Sequence, residues 1–103
     1  MRLELRDGQW ADLRGRISHG ADKRIKIANR KGKDDDTAAL EIDDVLIREF
    51  VTAWNVLDIT GSAIALDDAD ATDRLPEDIS DAIAVAAAGI YTGTTAPNAP
   101  TPN

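Results

Sequence analysis

Large apolar side chains are scarce in this chain, and the scarcity limits it to a single core. Trp10, Phe50, Trp54 and Tyr91 are the only aromatic residues among 103, and much of the 43% apolar content is alanine. A core built from these four and a set of Ile, Leu and Val sits near the lower size limit for one independently stable domain. At ~25 cal/mol per Å² of apolar surface, such a core roughly offsets the chain entropy it must overcome. Assembly with partners or further copies is one source of the missing burial. The chain has no cysteine, so neither disulfides nor thiolate metal sites supplement the core.

Charge divides the chain sharply. Residues 1–33 carry ten basic and four acidic side chains, a balance of +6, whereas residues 34–103 carry two basic and fifteen acidic ones, a balance of −13. Lys31-Gly32-Lys33 runs directly into Asp34-Asp35-Asp36. A split of this kind adds nothing to a core, so it implies a charged partner or copies of the chain meeting head to tail.

Hydropathy patterning places the elements. Residues 2–6 alternate charged and apolar, the period of a half-buried strand, and Asp7-Gly8 is a two-residue hairpin signal. Residues 9–14 form the return strand in this reading, with Trp10 opposite Leu5. Residues 21–31 read as a short basic helix that docks loosely, and 29–36 as a flexible polar connection. One long helix is expected over residues 37–54, capped by Asp36 or Thr37, with Ile42, Leu46, Phe50, Ala53 and Trp54 on its apolar face. Residues 56–59 and 63–66 flank Thr60-Gly61-Ser62 as a second small hairpin, followed by an acidic turn or short helix over 67–73. Leu75-Pro76-Glu77-Asp78 starts a further helix with Ile79, Ile83, Ala86 and Ile90 on one face, ending before Gly93.

The fold class is therefore α+β: a small, mainly helical single domain with an N-terminal β-hairpin and a second short hairpin between two helices. The domain spans residues 1–91, comprising a basic hairpin and helix arm (1–33) and an acidic helix–hairpin–helix body (37–91). Residues 92–103 form a Thr/Pro/Asn-rich tail that cannot bury a core. The expected core contains Leu5, Ile42, Leu46, Phe50, Trp54, Ile59, Ile64, Leu75, Ile79 and Ile83.

Chemistry-bearing patterns are weak. His19 is the only histidine, and Ser18 is merely its neighbour in sequence, so a turn residue is favoured over a catalytic base. The clusters Asp34-Asp35-Asp36 and Asp67, Asp68, Asp70, Asp73 invite a calcium reading. However, the sixth position counted from Asp68 is Asp73 rather than glycine and the twelfth is Ile79. No catalytic, cofactor-binding or metal-ligating residue is assigned, and no cofactor is expected. The basic segment Lys23, Arg24, Lys26, Arg30, Lys31 and Lys33, together with Trp10, is the candidate partner-binding set. It reads as a solvated helix face or as one that pairs with an acidic surface on a protein partner. Nucleic acid is disfavoured, because no aromatic is interleaved with the cations and the net charge is −7. The N-terminus is charged and alternating without a signal-peptide core, and no apolar run approaches the ~20 residues of a membrane span, so a soluble cytoplasmic protein is expected.

Three segments carry a resemblance. Residues 50–66 read Phe-Val-Thr-Ala-Trp-Asn-Val-Leu-Asp-Ile-Thr-Gly-Ser-Ala-Ile-Ala-Leu, residues 73–79 read Asp-Arg-Leu-Pro-Glu-Asp-Ile, and residues 5–14 read Leu-Arg-Asp-Gly-Gln-Trp-Ala-Asp-Leu-Arg. Together they resemble small morphogenesis proteins of long-tailed, siphovirus-type bacteriophages of actinobacteria, in particular tail assembly chaperone-like proteins. The matched motifs are turns, caps and a helix end. The resemblance implies binding to tail-tube or tape-measure protein during assembly in the host cytoplasm, without catalysis, and the charge split adds the expectation of repeated copies. Two alternatives stay open: a structural virion protein at the capsid or head–tail junction, and a nucleic-acid contact made by the basic arm.

Overall fold

A computed structural model describes residues 1–95 of the chain. Strands β1 (Arg2–Glu4), β2 (Trp10–Leu13) and β3 (Val51–Trp54) form an antiparallel sheet in the order β1-β2-β3. Helices α1 (His19–Asp34), α2 (Asp36–Ala39) and α3 (Ile42–Phe50) lie between β2 and β3 in sequence, and α4 (Ala71–Arg74) and α5 (Glu77–Thr95) follow. The architecture is α+β. No helix among the described residues is long and apolar enough to cross a membrane.

The N-terminal hairpin forms where the Asp-Gly signal lies. Asp7 (φ 56°) and Gly8 (φ 75°) both take positive φ, and the Gln9 N–H closes the turn on the Arg6 carbonyl at 3.1 Å. The register differs from expectation. Leu5 N–H bonds the Gln9 carbonyl at 2.9 Å, so the loop holds one residue more and Trp10 faces Glu4, not Leu5. That one-residue shift sets Leu3 opposite Ala11, with Ala11 and Leu13 buried and Trp10 on the other face. Asn55 fastens the hairpin to the rest of the domain. Its carboxamide oxygen accepts from Trp10 N–H at 2.7 Å, and its nitrogen donates to the Gly8 carbonyl at 3.2 Å.

The single long helix expected over residues 37–54 is three elements. α2 ends in a turn at Leu40 and Glu41, α3 carries the expected stripe Ile42, Leu46 and Phe50, and the chain then becomes β3. Val51 is buried opposite Leu13, and β3 supplies backbone partners to a β2 edge that would otherwise be open. Tertiary pairing overrides helix propensity there. The cap also moves: the Asp35 carboxylate accepts the Thr37 N–H at 2.9 Å.

The basic segment is longer and better anchored than expected. Residues 29–34, read as a flexible connection, are the last turns of α1. Ala21, Ile25, Ala28 and Gly32 recur at spacings of four, three and four, and this stripe turns inward, with Ile25 only 1% exposed. At Gly32 the approach to α2 is close: a Cβ would stand 2.7 Å from the Ile42 Cδ1 and 3.2 Å from the Ala39 Cα. Glycine is what lets the two helices touch.

The second hairpin contracts to one bridge, Leu57 to Ala63. Its turn is held by Asp58, which accepts from the backbone of Thr60 and Ser62 at 2.9 and 3.0 Å and from the Thr60 hydroxyl at 2.6 Å. Ile59 projects from this turn and is 86% exposed, contrary to its expected place in the core. Val56 and Ile64, at the turn's two flanks, are buried instead.

One cluster unites Leu13, Ile25, Ile47, Phe50, Val56, Ile79 and Ile83 with smaller residues, so the first 33 residues contribute to the same core as the acidic remainder. Of the other expected members, Leu46, Ile64 and Leu75 are buried, while Leu5, Ile42 and Trp54 are partly so. α5 begins just after Pro76, as its sequence indicates, but continues through Gly93 to Thr95. The remainder of the expected tail lies outside the described residues.

Candidate interaction surface

Six of the seven candidate residues lie on one helix. α1 starts at a Ser18 cap, whose hydroxyl accepts the Ala21 N–H at 3.1 Å, and its last turn carries Lys31 and Lys33 where the helix dipole is negative. That hydroxyl is engaged in starting the helix, and His19 is the exposed first residue of α1. Lys26 pairs with Asp22 one turn earlier at 2.9 Å. Arg24 reaches across to α3 and grips Glu49 with two bonds of 2.5 and 2.9 Å, holding that carboxyl below the usual carboxylate range.

Lys23, Arg30, Lys31 and Lys33 are exposed and form no ion pair among the described residues. These four are the cations left available to a partner. Trp10, the seventh candidate, is not part of this face. It lies on the outer side of the sheet, where the Arg2 guanidinium stacks 3.8 Å from the ring centre and also grips Asp12 at 2.8 and 3.0 Å.

Two clefts flank α2. The first, about 330 Å³, lies between α1 and α3, with Ile27, Ala28 and Val45 as its apolar lining and Arg24, Lys31 and Glu41 among its charges. The second, about 340 Å³, runs between the α2–α3 turn and the start of α5, where Leu40 and Leu75 sit among Asp43, Asp44, Glu77 and Asp81. Burial, then the neighbouring Asp73 charge, raises the Asp44 carboxyl above its ordinary value, against the opposing pull of Arg48.

Ile27 is 50% exposed and Leu40 80% exposed, and the sequence reading marks neither as a surface contact. For Ile27 the signal was present. Ile27 lies two residues from Ile25, which packs inward, and two residues of helix turn a side chain by about 200°, from the core to the solvent, whereas Leu40 sits in the turn between α2 and α3.

The remaining charge pairs fix the scaffold. Arg6 in the hairpin turn holds Asp78 at the start of α5 at 2.5 Å, and Arg74 holds Asp58 and Asp68 at 2.9 and 3.1 Å. The Thr60 hydroxyl, Arg74 and the Ser62 N–H together keep the Asp58 carboxyl far below the usual range. Among the described residues no group of three His, Asp or Glu side chains converges to hold a metal ion.

Comparison with protein-family models, with curated proteins and with solved structures finds no match to this chain.

Proposed function

We propose that this chain is a non-enzymatic bacteriophage morphogenesis protein of the tail assembly chaperone-like kind, acting through protein–protein contacts in the host cytoplasm. One observation carries the reading beyond the sequence resemblance. The face formed by α1 sets an exposed isoleucine among unpaired cations, beside a cleft with an apolar floor. Exposed aliphatic side chains within a charged rim suit docking between proteins, in which charge orients the encounter and apolar burial holds it. The expected client is tail-tube or tape-measure protein.

The test is a pair of measurements on the phage that encodes the chain. Co-expressed tail-tube or tape-measure protein should be retained by the tagged chain, and mass spectrometry of purified virions should not detect it. Detection in virions at a level comparable to known structural proteins would favour the structural reading, at the capsid or head–tail junction.

A further inference from the structure

Two exposed aliphatic side chains, one set among mainly basic and the other among acidic side chains, stand on either side of α2. Around Ile27, the residues three and four positions away in both directions along α1 are Lys23, Arg24, Arg30 and Lys31, all of them exposed. The far wall of its cleft carries Glu41 and Glu49, but Arg24 already neutralises Glu49, so positive charge dominates the rim. Around Leu40 the charged lining is wholly acidic: Asp43, Asp44, Glu77 and Asp81. Ala38 lines the first cleft and Ala39 the second, which places the two patches on either side of one short helix.

We infer that the occupant of the Ile27 cleft is a second copy of this chain, which inserts its Leu40 corner with the acidic rim around it. Complementarity selects that occupant. A cation-ringed apolar cleft fits an acidic surface with a protruding aliphatic side chain, and this chain carries one in Leu40. The two patches lie on opposite sides of α2, so one neighbour does not engage both at once and the contact is heterologous. Each copy offers one patch to the copy before it and the other to the copy after it, giving a ring or an open filament rather than a closed symmetric pair. The inference deepens the reading of the chain as an assembly protein and rests on it for its biological purpose. Its test uses purified protein alone, so it stands or fails separately from binding to any phage protein.

The variants Ile27→Glu and Leu40→Arg alter exposed positions, and both should keep the wild-type circular dichroism and melting temperature. In sedimentation velocity the wild-type mass should rise with concentration at about 0.01 M salt, and that rise should be lost at about 1 M. Each variant alone should stay monomeric, because each has lost one patch. Their equimolar mixture should form a heterodimer that grows no further, since I27E keeps its Leu40 corner and L40R keeps its Ile27 cleft. A wild-type chain that is monomeric at every concentration, or variants that associate as well as wild type, would overturn the inference. So would an L40R chain that still pairs with itself, which would mean a symmetric contact through Ile27. A monomer that retains duplex DNA in a manner abolished by I27E would give the basic face to nucleic acid and likewise overturn it.

Discussion

Tyr91 on the last helix donates its hydroxyl to the Asp22 carboxylate on the first at 2.7 Å, tying the acidic end of the domain to its basic beginning. The same ring meets Phe50 edge to face, with centroids 6.4 Å apart, so one side chain joins α1, α3 and α5. Asp22 is held below its ordinary range, first by Lys26 and then by Tyr91. The charge split therefore crosses a shared core rather than separating two bodies.

Tyr91→Phe tests that tie. Burial, reinforced by Asp22, pushes the phenol up to about 12 from an ordinary 10. A folded value above the unfolded one means that the stabilisation is complete below pH 10 and is lost as pH rises through about 12. Denaturant melts should show a loss of about 1 kcal/mol at neutral pH in Tyr91→Phe. They should also show a flatter decline than wild type on the alkaline side. An equally steep decline would place the alkaline sensitivity elsewhere.

Asp58 governs the acid side. Its folded value lies well below the ordinary 3.8, so its contribution is present above that value and is lost as pH falls toward the folded one. Asp58→Asn should lower the melting temperature at neutral pH and shrink the gap to wild type as the solution is acidified. The comparison is a series of thermal melts by circular dichroism between neutral and strongly acidic pH. A gap that is independent of pH would contradict the assignment.

Gly32→Val should force α2 away from α1, because the added side chain meets Ile42 and the Ala39 backbone. Overpacking of this kind costs about 2 kcal/mol. Urea unfolding should report that loss, and hydrogen exchange should show faster opening of the amides of α2 than of those of α5.

Two isoleucines separate core from surface. Ile83, fully buried on α5, should lose about 3 kcal/mol on conversion to alanine. Ile59, 86% exposed, should change by less than about 0.5 kcal/mol. Chemical denaturation of both variants gives the comparison, and similar losses for the two would mean that the turn over residues 58–62 packs differently.

The legible parts of the fold were those written in local signals. Asp7-Gly8 located the hairpin, Pro76 and the acids after it located the start of α5, and Ile79 with Ile83 located that helix's buried face. The illegible parts depended on partners distant in sequence. Residues 51–54, Val-Thr-Ala-Trp, are compatible with either a helix end or a strand, and the open edge of β2 decides between them. Gly32 and its flanking lysines have the composition of a loop, and only the closeness of Ala39 and Ile42 reveals a helix. For the candidate surface, the cations of α1 were readable from charge, but their sorting was not. Glu49 and Asp22 neutralise Arg24 and Lys26, leaving Lys23, Arg30, Lys31 and Lys33 for a partner. Trp10, grouped with those cations from the sequence, lies apart from them on the outer face of the sheet.

The central claim is that the unpaired basic charge of α1, on Lys23, Arg30, Lys31 and Lys33, serves contacts and not the fold. Its most direct test is the quadruple variant Lys23→Gln, Arg30→Gln, Lys31→Gln and Lys33→Gln, with thermal melting and concentration-dependent mass measured side by side. The account predicts a melting temperature within about 2 °C of wild type, as expected for exposed changes away from any pairing, together with loss of self-association. A variant that unfolds, or one that melts normally and still assembles as wild type does, would contradict it.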